Sequence, residues 1–378
     1  MYAVINCTIY TGESILTDHA LVIKETLIKE IIPISSLAKN IEIIDLDGAN
    51  LSAGFIDLQL NGCGGVMFNG AETEQTLATM QAANLKSGTT SYLPTFITDS
   101  DQGIQRAIIA TRAYMQYRSN EVLGLHLEGP YISVEKKGIH PEEFIRKPNA
   151  AMIDLICENA DIIKKVTLAP EQTPTEIIAK LHSAGIIVSL GHSNATYQQT
   201  TNAIKHGATC ATHLFNAMTS ITAREPGVVG AVYDNNIYAG IIVDGFHVSY
   251  ENVRMSKKLM RDKLILVTDA TAPAGATISE FNFVGTPVYF KNGQCLGADG
   301  TLGGSAVTMI KAIENCVKFV GITLDEALRM ATLYPAKVIS VDNKLGSINP
   351  GKIANLTIFD NSYQVTATIV NGSYQSST

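Results

Sequence analysis

A chain of 378 residues exceeds one average domain of ~150 residues, and it fits a (β/α)8 barrel of about 250 residues plus a small appendage. With 46% hydrophobic and 17% charged residues it can bury a large core, and no run is long and apolar enough to read as a membrane span. Its 28 Lys+Arg against 35 Asp+Glu give a formal net charge of −7 without any basic stripe, which argues against a nucleic-acid partner. An anionic substrate would have to be drawn in by a local site.

The N-terminus MYAVINCTIY lacks the basic-then-apolar pattern of a signal peptide. Six cysteines (Cys7, Cys63, Cys157, Cys210, Cys295, Cys316) are scattered without C-x-x-C pairs, so free thiols in a reducing compartment are expected. Cys63 and Cys210 read as small packing residues. A soluble cytoplasmic protein is the expectation.

Residues 1–50 run as short β-like segments, YAVINCTIY, ALVIKETLIKEIIP and IEIIDLDG, punctuated by Gly and Asp. After the turn-rich SINPGKIA, the C-terminus repeats the style in NLTIFDN and QVTATIVNG. These ends predict a small β-sandwich domain built from 1–52 and 346–378.

Residues 53–345 read differently. Apolar strands recur as GFIDLQL, SYLPTF, VLGLHLEGP, KVTLAPE, GIIVSLGHS, CATHLFNAM, AGIIVDGFH and LILVTDA. Helix-like segments such as ETEQTLATMQAANLKS, TEIIAKLHSAG and YQQTTNAIKHG lie between several of them. Repeated β-then-α units imply parallel strands with right-handed crossovers. Eight of them predict an α/β fold, a TIM-like (β/α)8 barrel.

In such a barrel the chemistry gathers at the carboxyl ends of the strands. Gln59 and Asn61 end the first strand, Glu128 the third, His192 the fifth and Asp269 the eighth; His213 falls in the sixth and His247 follows the seventh. Glu128, His192 and His213 form a candidate metal set, because one carboxylate and two neutral imidazoles leave an open position for water on zinc or a similar ion. Asp269 supplies a base for that water and an acid for a leaving nitrogen. The bland alternatives are helix caps for Glu128 and Asp269 and ordinary polar contacts for each histidine. His19, His182 and His206 lie away from the strand ends, and His126 shares a strand face with Glu128.

Nine stretches, in order GFIDLQLNGCGG, LHLEGPYIS, KKGIHP, SLGHSNA, THLFNAM, AREPGVVGA, DGFHV, VTDA and TLGGSA, make the chain similar to the N-acetylglucosamine-6-phosphate deacetylases of the amidohydrolase superfamily. The resemblance covers nearly the whole chain. It implies metal ligation by Glu128, His192 and His213, with Asp269 as catalytic acid and base and His140 helping to stabilise the oxyanion. It implies substrate contacts from Ile139, His140, Asn216, Ala217, Arg224, His247, Leu302, Gly303 and Gly304, with Arg224 and His247 at the phosphate. It also implies a homodimer.

Relatives with a His-x-His pair on the first strand can hold two ions. Here Gln59 and Asn61 stand instead, poor zinc ligands expected to hydrogen-bond water at the metal or to shape the space of a second ion. Strand four ends in Glu171 rather than lysine, against a carbamylated-lysine bridge. One divalent ion is expected, Zn2+ before Fe2+, Mn2+ or Co2+. The rivals are an amidohydrolase acting on a cyclic amide or nucleobase, and a catalytically silent barrel kept as a scaffold.

Overall fold

A computed structural model describes residues 1–376; the last two residues of the expected terminal segment, 377–378, lie outside the described residues. Eight parallel strands form the barrel: Phe55–Leu60, Thr89–Ile97, Leu125–Glu128, Ile163–Leu168, Ile187–Leu190, Ala208–Ala211, Tyr238–Ile241 and Leu264–Leu266. They are hydrogen-bonded in sequence order. The first and last meet just beyond their ends, where Asp269 N donates to the Gln59 carbonyl and Asn61 N to the Ala270 carbonyl, both at 2.9 Å.

Each strand is short because the chain turns polar or glycine-rich as it leaves the barrel. Helices follow on the outside, several begun by a side-chain cap: Thr73, Ser100, Asn149, Thr196 and Ser249 each accept from a backbone N–H in the first turn. Leu127, Val166, Leu168, Val188 and Leu190 are all at most 1% exposed. Burial of such a side chain stabilises the fold by about 1.5–3 kcal/mol. Of the helices, none among the described residues is long and apolar enough to cross a membrane.

Both termini join one mixed eight-stranded sheet, in which Leu356–Phe359 pairs antiparallel with the long strand Glu42–Ala53, and Tyr2–Tyr10 pairs parallel with the same strand. It has its own apolar cluster, including Val4, Ile9, Leu21, Leu51, Leu356 and Ile369. A three-stranded antiparallel sheet, Glu280–Phe283, Thr286–Lys291 and Gln294–Gly297, follows the eighth barrel strand. The sequence reading did not anticipate it.

Candidate active site

The carboxyl ends of the strands surround a cavity of about 300 Å³, a size suited to a small-molecule ligand. Glu128, His192, His213 and Asp269 all line it. Glu128 is the last residue of its strand, whereas His213 stands two residues beyond Ala211 rather than in the sixth strand, and Asp269 three beyond Leu266. The apolar letters of LFNAM make the strand look longer than it is.

Glu128 Oε1 lies 3.3 Å from His192 Nε2 and 3.0 Å from His213 Nε2, and the two imidazole nitrogens are 3.0 Å apart. His140 packs its ring on His192 at a centroid distance of 4.2 Å, and Glu128, His140 and His192 also offer ligand atoms within 4.8 Å of one another. The trio with His213 is the tighter of the two. His140 Nδ1 is engaged by the Thr98 hydroxyl at 2.8 Å. His192 Nδ1 meets the Lys136 carbonyl at 2.8 Å, which fixes its ring with Nε2 toward the cluster.

The backbone bears strain at this cluster. His192, His213 and Asp269 have φ of 47°, 31° and 50°, and Phe215 and Ala217 are also positive. Residues other than glycine rarely adopt this region, at a cost of about 1–3 kcal/mol each, and such strain concentrates at functional sites.

Gln59 and Asn61 turn their amide nitrogens toward the two carboxylates of the site. Gln59 Nε2 donates to Glu128 Oε1 at 3.0 Å and to Asp269 Oδ1 at 3.2 Å, and Asn61 Nδ2 donates to Asp269 Oδ1 at 2.7 Å. Both amides hold carboxylates, while their own oxygens are buried without a hydrogen-bond partner among the described residues.

Burial raises the Asp269 carboxyl above its ordinary range, and the Glu128 charge adds to this against His213, His247 and the Asn61 amide. Burial also works to raise Glu128, yet hydrogen bonds from His192 and His213 overcome it and hold that carboxyl well below the usual range. Burial, with His192 beside it, depresses His140 and keeps it neutral.

Ile139, His140, Asn216, Ala217, His247, Leu302 and Gly304 line the cavity. His247 Nδ1 is held by Asp244 Oδ2 at 2.6 Å. Gly303 backs the wall, where a Cβ would meet Ile139 Cδ1 at 2.6 Å. Arg224 is not brought in: it is exposed on the loop before the helix Gly227–Asn235 and is absent from the cavity lining. His126 serves below the cluster, bridging the Thr95 and Thr167 hydroxyls at 3.1 and 2.7 Å. Residues that the sequence reading missed also reach the cavity, among them Ile97, Lys136, Phe283 and Thr301. Phe283 comes from the unanticipated sheet, and neither periodicity nor spacing marked Lys136.

An eight-stranded parallel barrel with histidines and carboxylates at its carboxyl mouth defines a hydrolase of the amidohydrolase class. Residues 50–374 match the amidohydrolase family, and residues 1–51 match the NagA composite domain. The N-acetylglucosamine-6-phosphate deacetylase of Haemophilus influenzae is 52% identical over 377 residues, 99% of each chain. A crystal structure of the N-acetylglucosamine-6-phosphate deacetylase from Pasteurella multocida is 55% identical, superposes with a TM-score of 0.98 and covers 99% of both chains. A Mycobacterium smegmatis deacetylase variant in complex with N-acetyl-D-glucosamine-6-phosphate is 28% identical, with a TM-score of 0.92 and coverage of 99% and 98%. The chain belongs to the amidohydrolase family and, within it, to the N-acetylglucosamine-6-phosphate deacetylases.

Proposed function

We propose that the protein hydrolyses the acetamide of N-acetyl-D-glucosamine 6-phosphate to glucosamine 6-phosphate and acetate, with Asp269 as general acid and base. One observation carries this: Glu128, His192 and His213 converge within 3.3 Å, and Gln59 ties Asp269 to the same carboxylate.

The trio fits one divalent ion. Ligand atoms held about 2.0–2.2 Å from a shared ion, at tetrahedral to octahedral angles, stand roughly 2.8–3.6 Å apart. The three separations here are 3.0, 3.0 and 3.3 Å. The mixed nitrogen and oxygen donors suit Zn2+, with Fe2+, Mn2+ or Co2+ as alternatives. When bound, such an ion lowers the pKa of water toward neutrality and polarises the acetyl carbonyl.

Asp269 accepts the proton of the attacking water and returns it to the departing nitrogen. Its raised pKa suits a group that must hold a proton between the two transfers. His140 stabilises the oxyanion: with the Thr98 hydroxyl hydrogen given to Nδ1, Nε2 carries its own hydrogen into the cavity. Ile139, Asn216, Ala217 and the Leu302, Gly303, Gly304 stretch hold the sugar.

His247 and Arg224 meet the phosphate, which suits a guanidinium fork. Because Arg224 is exposed outside its own chain's cavity, the active form is a homodimer in which this arginine serves a second copy. The six free cysteines support a reducing, cytoplasmic compartment. Acetate release from the phosphorylated sugar by metal-loaded protein tests the proposal, and its absence contradicts it.

A further inference from the structure

We infer that Lys136 is this chain's own lysine for the substrate phosphate, and that it adds to His247 and Arg224 in the preference for a phosphorylated over a neutral amino sugar. The inference rests on the proposal that the substrate is a phosphorylated acetamido sugar.

The difficulty to be solved is one of charge. The chain carries a net −7, and three carboxylates, Glu128, Glu135 and Asp269, line the cavity. A phosphate dianion entering such a space needs positive charge close by, because the field of the whole protein repels it. In the proposed homodimer His247, held at Nδ1 by Asp244, and an arginine from the second copy also meet the phosphate, but Arg224 lies outside its own chain's lining. Among the described residues, one of the 28 lysines and arginines lines the cavity, and it is Lys136.

Its neighbours sharpen the contrast. Lys137, the adjacent residue, forms an ion pair with Glu142 at 3.5 Å. The Glu135 carboxylate accepts a hydrogen bond from the Ser133 hydroxyl at 2.6 Å. Among the described residues, the half-buried Lys136 side chain has no hydrogen bond and no ion pair. A lysine on a cavity wall without such a partner among the described residues keeps three donors for an incoming anion.

The backbone beneath it is fixed to the reacting centre. The Lys136 carbonyl receives His192 Nδ1 at 2.8 Å, Lys136 N donates to the Ser133 carbonyl at 3.1 Å, and Ser133 N donates to the His192 carbonyl at 2.8 Å. The turn that carries the ammonium is thus the turn that orients His192. A phosphate held by this side chain would be tied through the turn to the candidate metal cluster, so binding energy at one end of the sugar can position the acetamide at the other. A substitution of the side chain leaves the carbonyl in place, which separates the two roles.

The test is steady-state hydrolysis of N-acetylglucosamine 6-phosphate and of N-acetylglucosamine by wild type, Lys136→Met, Lys136→Gln and Lys136→Arg, with metal content measured on each. The ratio of kcat/KM for the phosphorylated over the neutral sugar should fall about tenfold or more in the Met and Gln variants, mainly through KM, and Arg should restore most of it. Competitive inhibition by inorganic phosphate should weaken in parallel. A ratio unchanged from wild type in whichever neutral variant folds with full metal overturns the inference while leaving the substrate assignment intact. Wild-type protein that, fully metal-loaded, hydrolyses neither sugar overturns both.

Discussion

The Gln59 amide donates to the Glu128 carboxylate at 3.0 Å, and the same nitrogen reaches Asp269 Oδ1 at 3.2 Å. An ionised carboxylate can only accept, so the NH2 of the amide must face both acids. Gln59 is fully buried, and it couples a metal-ligand candidate to the candidate acid and base. Replacing it with Leu removes a donor from both carboxylates. Turnover and retained metal should fall by about 10- to 100-fold, as when a partner that orients a metal ligand is lost. Kinetics and metal analysis after dialysis check this; wild-type values for both would show that the bridge is idle.

Asp269→Asn keeps an oxygen for the Asn61 and Gln59 amides and leaves the Glu128, His192, His213 trio untouched. It removes the proton carrier. Turnover should drop by about 10²–10⁴-fold while metal content stays at the wild-type level. Substantial acetate release by this variant would assign the proton transfers elsewhere.

Gly304 has φ +68°, and a Cβ there would stand 2.8 Å from the Asp269 carbonyl and 2.6 Å from Thr271 Cγ2. That carbonyl also accepts from Ser305 N at 2.8 Å, so the backbone of Asp269 has no room to yield. Gly304→Ala should cost about 1–3 kcal/mol in stability through backbone strain. It should also lower kcat by at least about tenfold through misplacement of the acid. Denaturant unfolding and kinetics measure the two effects separately, and a variant equal to wild type in both would refute the contact.

Asp57 lies beneath the mouth, accepting at Oδ1 from Gln59 N and Thr268 N at 3.1 and 3.3 Å, with Oδ2 against the Thr268 hydroxyl. Burial lifts its pKa to about 7, despite those hydrogen bonds. The folded pKa is raised above the unfolded value, so the folded state binds this proton more tightly. The contribution is therefore fully present below the unfolded pKa and lost as pH rises through about 7. Asn at this position stays neutral throughout. The stability of wild type relative to Asp57→Asn should fall by on the order of 2–3 kcal/mol between about pH 5 and about pH 8. A difference that stays constant over that range would contradict the buried, proton-holding state of Asp57.

Much of this site was legible because a barrel strand changes character where it leaves the sheet. Glu128 follows an apolar run and is the last residue of its strand, and the polar ends of the other strands converge in the same way. His213 was misplaced by a few residues because apolar Leu214, Phe215 and Met218 continue the strand-like composition while the backbone already turns. Gln59 and Asn61 were found by position but not by partner, since a sequence shows that two amides replace imidazoles and not which acids they face. Lys136 was invisible: one of two adjacent lysines has no period to mark it, and what separates it from Lys137 is the acid each one meets in space. Arg224 carried a motif and yet lies outside its chain's cavity, a placement no spacing rule reveals.

The most direct measurement is acetate release from N-acetylglucosamine 6-phosphate, beside N-acetylglucosamine, by protein stripped of metal and then reloaded with zinc. Turnover that disappears on stripping, returns on reloading and strongly favours the phosphorylated sugar is the expected result. Equal turnover by stripped and reloaded protein, or none on either sugar after full reloading, would contradict a metal-dependent deacetylase built on Glu128, His192 and His213.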